Sequence, residues 1–514
     1  MTGGAEARLL RALSLAGLAL AVFVRAFALA DKPFWQDEAW LVLLVGQPLP
    51  DLLAVRSPVP LGFALAVKAS GLLPGPPEVT LRLLPLIAGI ATVVVVPLLA
   101  RALGADSRTQ VITLWIAAGA PALVNYSREL KHYGLDVLFG AAFALLAVRL
   151  LGGRDEGAPS KAGRSGVGLT MLAAAVPWFC YGAVFSVSAV LAWGWCARWP
   201  AAPGVRRRWA AASAAFLLSF AATYAWVIRH QVANPGLRSY WSKSLRVLDG
   251  LPLPLGLAKG GSLLALRSAE FLFPWIWPAA LALAAVGLVR GPRAGRPFLL
   301  WWAGVTALLA AIAVVSGSYV LSGRLLLFTA PLLIIPAAIG LVEAGRWLRA
   351  PRAFPLAVAL TLACFWSYQA VEHRLRPAGK AGFHFDRQPR LEALMATVES
   401  LHGSGHPVYV TRRLVSRFGV YARGRVPDAT LEPRRPAGVR AAGHEAPLVQ
   451  WLGTLADGGS ILLSPKDRER IRRILRDAGW EVHGDADQRG VLVWRVTPGV
   501  RAAAPAQSAS PEGD

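Results

Sequence analysis

The run Phe298–Val315, FLLWWAGVTALLAAIAVV, decides the class of fold. It holds no charge and is built mostly from Leu, Ala, Val and Trp. A helix needs roughly 20 apolar residues to cross the hydrocarbon of a bilayer, and this run with its flanks supplies them. Leu281–Val289, LALAAVGLV, is a second run of the same kind. Eleven candidate spans emerge along the 514 residues: 9–30, 81–101, 109–125, 133–151, 168–181, 182–198, 209–228, 271–290, 298–316, 324–343 and 354–372. The fifth and sixth share one apolar stretch, which reads either as a single long tilted helix or as a tight hairpin. The hydrophobic fraction of 55% exceeds that of soluble domains, and the excess sits in these runs.

A net charge of +24 would suggest nucleic acid for a soluble protein. Here the arginines fall between hydrophobic runs, where they set topology and meet anionic headgroups, so no nucleic-acid partner is expected. With the N-terminus in the cytoplasm, the inner connections carry Arg8 and Arg11; Arg101 and Arg108; Arg149, Arg154, Lys161 and Arg164; Arg198 and Arg206–Arg208; Arg290, Arg293 and Arg296; and Arg346, Arg349 and Arg352. Every inner connection is basic, which is the positive-inside pattern. It also favours two spans within 168–198, because one span there would reverse every later loop. Arg8 and Arg11, the apolar stretch and Ala28-Leu29-Ala30 resemble a secretory signal. The length of that stretch, with Arg25 late in it, favours a retained span. The expected location is the cytoplasmic membrane, with the N-terminus inside and the tail outside.

Three outer segments follow from this topology. Residues 31–80 hold apolar, proline-rich pieces too short to span, suited to the interface. Residues 229–270 include Arg238-Ser239-Tyr240-Trp241-Ser242-Lys243, a headgroup-level composition. The tail from about 373 turns mixed and charged. Pro407–Val410, Ser460–Leu463 and Val491–Trp494 read as strands, and Lys466–Gly479 has helical spacing with Ile471, Ile474 and Leu475 on one face. The expected organisation is a membrane domain over 1–373, a small extracytoplasmic α/β domain over 374–500 and a disordered tail over 501–514. Cys180, Cys196 and Cys364 lie in or beside apolar runs, without the spacing of a metal or redox motif.

Three clusters could carry chemistry. Asp37-Glu38, inside Phe34-Trp35-Gln36-Asp37-Glu38-Ala39-Trp40, follows the first span. Ionisable groups at the hydrocarbon edge are costly and tend to have a job; a carboxylate there could act as general base for a hydroxyl, or it could merely end a helix in a solvated loop. Asn125–Tyr133 brings Arg128, Glu129, Lys131, His132 and Tyr133 to the same outer face. An acid beside cations and tyrosines suits phosphate and hydroxyl groups together; the plainer reading is a polar turn. His132 has no second ligand at metal spacing. Tyr319-Val320-Leu321-Ser322-Gly323-Arg324 leads into an apolar helix with Pro331. A lone outer arginine runs against the positive-inside bias and suits phosphate, or it snorkels to the headgroups.

In order along the chain, these pieces resemble the GT-C glycosyltransferases that use polyprenyl-phosphate sugars. The resemblance is to the bacterial branch with protein mannosyltransferases, the aminoarabinose transferase of lipid A and the galacturonosyltransferases of lipopolysaccharide. Asp37-Glu38 follows the first span. Ser57-Pro58-Val59-Pro60-Leu61 resembles a His-Pro-Pro-Leu-Tyr element, with Ser57 for the His and Leu61-Gly62 for Leu-Tyr. Arg82-Leu83-Leu84-Pro85 opens the second span. Arg128–Tyr133 resembles a Glu-x-Arg-x-Tyr element, with Lys131 where Arg is usual. Tyr319 to Arg324, with Pro331, resembles the late Tyr/Gly-Arg/Pro element.

The resemblance implies a polytopic GT-C-like fold of about eleven transmembrane helices with a C-terminal α/β domain. It also implies an inverting transfer of a hexosyl or pentosyl unit from a polyprenyl-phosphate sugar to a lipid, glycan or protein hydroxyl on the outer face. By carry-over, Asp37 is the base, Glu38 and Glu129 orient acceptor or sugar, Lys131, His132 and Arg324 hold the donor phosphate, and Tyr133 and Tyr319 position substrate. No metal or other cofactor is expected. An O-antigen-type ligase or polymerase is the alternative enzyme; it needs outer arginines but no acidic pair. A transporter or flippase is disfavoured because the middles of the spans carry almost no charge, Arg25 and Asp136 both lying toward outer ends.

Overall fold

The computed structural model describes residues 3–375 except 32–33, 55–56, 152–158, 197–201, 235–250 and 321, and in the tail 408–410, 420, 430–431, 448, 459–463, 468–488 and 491–498. The segment Arg238–Lys243 and the tail 501–514 lie outside the described residues. The chain divides into two compact units: Met1–Asp31 with Leu49–Leu375, and Lys32–Pro48 with Arg376–Asp514.

The first unit is helical. Its helices of ten or more residues, with one from the other unit in chain order, are α1 (Gly3–Ala26), α2 (Gln36–Val45, second unit), α3 (Leu61–Ser70), α4 (Leu83–Ala102), α5 (Ser107–Gly119), α6 (Tyr133–Leu151), α7 (Pro159–Phe179), α8 (Ala183–Cys196), α9 (Pro203–Thr223), α10 (Leu253–Leu272), α11 (Trp277–Arg290), α12 (Arg296–Val315), α13 (Ala330–Trp347) and α14 (Phe354–Leu375). Among the described residues, seven helical segments are long and apolar enough to cross a membrane, or eight if α10 and α11 are counted as one bent span. The protein is a multi-pass membrane protein.

The other expected spans occur as shorter or broken helices. The stretch 168–198 is two helices, α7 and α8, parted at Cys180–Gly182. Residues 109–125 break before Pro121, which opens the short helix Pro121–Tyr126, because proline lacks the N–H that would continue α5. The expected span 271–290 does not form one helix. α10 and α11 meet at 118° across Phe273–Ile276, where Pro274 intervenes and Trp275 sits at φ 73°.

Several basic connections meet. Arg108 pairs with Glu6 of α1 and donates to the Arg352 carbonyl at 3.4 Å. Arg290 lies 5.7 Å from the Trp347 ring, and a Cβ on Gly295 would come 2.2 Å from the Leu103 carbonyl. The N-terminus and the 101–108, 290–296 and 346–352 connections therefore share one end of the unit. Among the described residues the tightest helix pair is α11 with α13. A Cβ on Gly287 would lie 1.9 Å from the Pro336 carbonyl oxygen, and one on Gly340 would lie 1.9 Å from that of Leu283. Backbone meets backbone there, which only glycine permits.

The second unit holds α2 and a mixed sheet. Strands β1 (Val408–Val410), β2 (Thr430–Leu431), β3 (Gly459–Leu463), β4 (Trp480–Gln488) and β5 (Val491–Pro498) run in the order β2-β1-β3-β5-β4. β1 is parallel to β2 and β3, and β5 is antiparallel to β3 and β4. α15 (Arg468–Asp477) buries Ile471, Ile474 and Leu475 in a core with Tyr409, Ile461, Leu463 and Trp494. The helical spacing thus yields a helix, and all three expected strand positions yield strands.

Candidate active site

Asp37 and Glu38 occupy the first turn of α2. They differ in environment. Glu38 is fully buried, and its carboxylate accepts the Trp35 N–H at 3.1 Å. It thereby satisfies one of the orphan donors at the helix start. Asp37 is half-exposed. One acid of the pair is fixed by the backbone; the other reaches solvent.

The remaining predicted residues fall in the first unit, where the 127–132 connection between Pro121–Tyr126 and α6 is the centre. The connection sits hard against α4. A Cβ on Gly89 would come 2.2 Å from the Ser127 Cβ. Arg128 reaches back across it and donates to the Phe27 carbonyl at 2.6 Å, while Arg82 donates to the Leu29 carbonyl at 3.3 Å. Arg25 donates to the Ala117 and Ala118 carbonyls at 3.0 and 2.8 Å, where the end of α5 leaves acceptors unpaired. These three arginines bind main-chain oxygens around the end of α1.

Glu129, Lys131 and His132 are buried, although their sequence reads as a polar turn. His132 packs against three aromatic rings. Tyr133, Tyr181 and Phe63 of α3 lie 4.6, 5.8 and 5.9 Å away between centroids. Its Nδ1 has no hydrogen-bond partner among the described residues. Burial, and then the charges of Lys131 and Arg324, push His132 down from 6.5 to about 3. The imidazole is therefore neutral near pH 7, and Lys131 and Arg324 are close enough to act on it. Arg324, half-buried, lies in the 3-10 turn Gly323–Thr329 that leads into α13.

Tyr319 precedes that turn. α12 is closed beyond its end by Gly317, with φ 68°, and the Ser318 N–H closes on the Ala313 carbonyl at 2.8 Å, a left-handed helix cap. The Tyr319 hydroxyl donates to the Leu325 carbonyl at 2.7 Å, and its ring packs edge-on against Phe185 at 4.9 Å. Burial, then Asp136 and Tyr133, raise the Tyr319 phenol, so it stays protonated. The first unit thus brings together Lys131, His132, Tyr133, Tyr319 and Arg324.

Two further residues, Gln231 and Asp136, reach this region without standing in any of the three polar clusters of the sequence. Gln231, just past a π-helical turn at Tyr224–Ile228, donates to the Ser57 carbonyl and to the Tyr181 hydroxyl. Asp136 accepts the Ala183 N–H at 2.9 Å. The π turn is a known accompaniment of functional sites, but its position is not written in residue types. The Ser57–Gly62 element also arrives here. A Cβ on Gly62 would lie 2.9 Å from the Trp178 carbonyl, so the tyrosine of the related element has no room in this chain. Among the described residues no three His, Cys, Asp or Glu side chains gather as metal ligands.

No family model and no curated protein matches the sequence. Solved structures do match the fold. The chain is similar to ArnT from Cupriavidus metallidurans in the apo state, at 12% identity and TM-score 0.55 over 96% of this chain and 98% of that one. It is similar to the same protein bound to undecaprenyl phosphate, at 13% identity and TM-score 0.50 over 96% and 98%. A third likeness is to the archaeal oligosaccharyltransferase AglB from Archaeoglobus fulgidus, in complex with an inhibitory peptide and a dolichol-phosphate. There the identity is 12% and the TM-score 0.52, over 98% of this chain and 75% of that one. Identities this low speak for architecture alone, and the architecture is common to all three: the chain has the GT-C fold.

Proposed function

We propose that the protein is an inverting glycosyltransferase that takes a sugar from a polyprenyl-phosphate donor on the outer face of the cytoplasmic membrane. The observation that carries this reading is the gathering of Lys131, Arg324 and a neutral His132 in the membrane unit. Two cations beside an imidazole nitrogen with no partner among the described residues suit a phosphate, which accepts charge-assisted hydrogen bonds. The GT-C fold supports the class, and relatives of that fold have been captured with undecaprenyl phosphate and dolichol-phosphate.

In the proposed reaction Asp37 takes the proton of the acceptor hydroxyl as its oxygen attacks the anomeric carbon. The bond from that carbon to the phosphate oxygen breaks, and polyprenyl phosphate leaves. Lys131 and Arg324 stabilise the charge that grows on the leaving phosphate, and His132 adds a hydrogen bond without adding charge. Glu129 orients the sugar or the acceptor, Glu38 fixes the turn that carries Asp37, and Tyr133 and Tyr319 line the approach. The acceptor is a lipid, glycan or protein hydroxyl, and the chain supplies the chemistry without a metal.

The test is direct. The full chain in proteoliposomes is offered a panel of polyprenyl-monophosphate and polyprenyl-diphosphate sugars with native membrane extract as acceptor, and the lipids are analysed by mass spectrometry. Release of polyprenyl phosphate from one donor supports the reading. Turnover only of a diphosphate-linked donor points to a ligase or polymerase instead.

A further inference from the structure

Asp136 is a buried carboxylate in the first turn of α6, one helical turn beyond His132. The amides of Tyr181, Gly182 and Ala183 all face it, with the Ala183 N–H at 2.9 Å. These amides lead into α8, whose first N–H groups have no partner within the helix. The fit is close. A Cβ on Gly182 would come 2.5 Å from Phe328 Cδ1 and 3.3 Å from Asp136 Oδ1. The strap between α7 and α8 is therefore held against both Asp136 and Phe328. Tyr181 in this strap packs edge-on against the His132 ring, 5.8 Å between centroids, and is held at its hydroxyl by Gln231 at 2.9 Å.

We propose that Asp136 is a positioning residue of the phosphate cluster: by holding the Tyr181–Ala183 strap, it sets the ring that fixes His132. The proposal rests on the phosphate-binding reading of that cluster. Asp136 makes no contact with the substrate in this account; it acts through Tyr181. Losing Asp136 frees the strap and lets the imidazole turn. Losing the Tyr181 ring does the same while the strap stays in place. The two losses are one event, so they do not add.

The experiment measures binding of undecaprenyl phosphate to the full chain in detergent for wild type, D136A, D136N, Y181A and the D136A/Y181A pair. D136A and Y181A are each expected to weaken binding about tenfold or more, the range of a lost hydrogen bond to a charged group. The double variant is expected to be no weaker than either single one, a coupling that separate structural defects do not produce. D136N keeps one oxygen for the Ala183 N–H and is expected to recover most of the loss; it also serves if D136A fails to fold. Losses that add in the double variant, or D136A binding as wild type does, overturn the role of Asp136 and leave the phosphate reading intact. A wild-type chain that does not bind undecaprenyl phosphate overturns the phosphate reading, and this role with it.

Discussion

Lys131 and Arg324 are the residues on which donor binding turns. Replacing either by alanine is expected to raise the donor KM and the Kd for undecaprenyl phosphate by about 10- to 100-fold, the worth of a charge-assisted hydrogen bond, with a smaller effect on kcat. Titration calorimetry and initial rates check this; an arginine that only snorkels to headgroups would leave both constants unchanged. His132 gives a pH prediction. Its folded value is depressed to about 3 against an ordinary 6.5, so the unfolded chain takes up a proton from about pH 6.5 that the folded chain refuses. The stabilisation is complete above pH 6.5 and is lost as pH falls toward 3, by up to about 1.4 kcal/mol per unit. The melting temperature of the wild type is expected to drop between pH 6.5 and 4.5 more steeply than that of H132Q. Lys131, His132 and Arg324 stand out in the sequence because polar residues at the ends of apolar runs are conspicuous. Asp136 was visible only as an acid near the outer end of a span. Its partners lie 47 residues on, and a pairing at that distance exists only once α6, α7 and α8 are assembled. The arginines show the converse. Arg82 and Arg128 stand in family-like motifs, yet both donate to main-chain carbonyls of the α1 end, a use that residue type does not announce.

At the scale of elements, hydropathy found the apolar stretches and missed their breaks. Residues 271–276 are apolar throughout, so composition reads on through them, whereas the backbone turns by 118° once Pro274 removes a donor and Trp275 takes a left-handed conformation. The division of 168–198 was legible by a different route, through the charges of the loops that follow. Packing between elements was not legible. Gly287 and Gly340 are two glycines among 50, and nothing in their neighbours marks them as the contact of α11 with α13. The structure makes G340A an informative variant. Its Cβ would meet a backbone carbonyl at 1.9 Å, which no side-chain rotation relieves, so the helices must part. A loss of about 1–3 kcal/mol is expected from overpacking of this kind, read as a lower melting temperature in detergent. An unchanged melting temperature would mean that the two helices are not in backbone contact.

For the whole molecule, the charge pattern and the fold bear on the same arrangement. The basic connections that positive-inside counting assigns to one side include four segments that meet at one end of the membrane unit. Alkaline phosphatase is therefore expected to be active when fused after Leu375 and inactive when fused after Arg293; the reverse result would invert the topology. The α/β character of the tail was legible in its alternating strands and helix, while the order of its sheet was not, because the parallel β1–β3 pairing joins strands some 50 residues apart. The central claim is that this fold carries out sugar transfer with Asp37 as the base, and the rate of D37N tests it most directly. With a polyprenyl-monophosphate sugar in proteoliposomes, D37N is expected to insert and to bind undecaprenyl phosphate as wild type does, while releasing polyprenyl phosphate about 100- to 10,000-fold more slowly, the range for loss of a general base. Release by D37N at the wild-type rate would contradict the account.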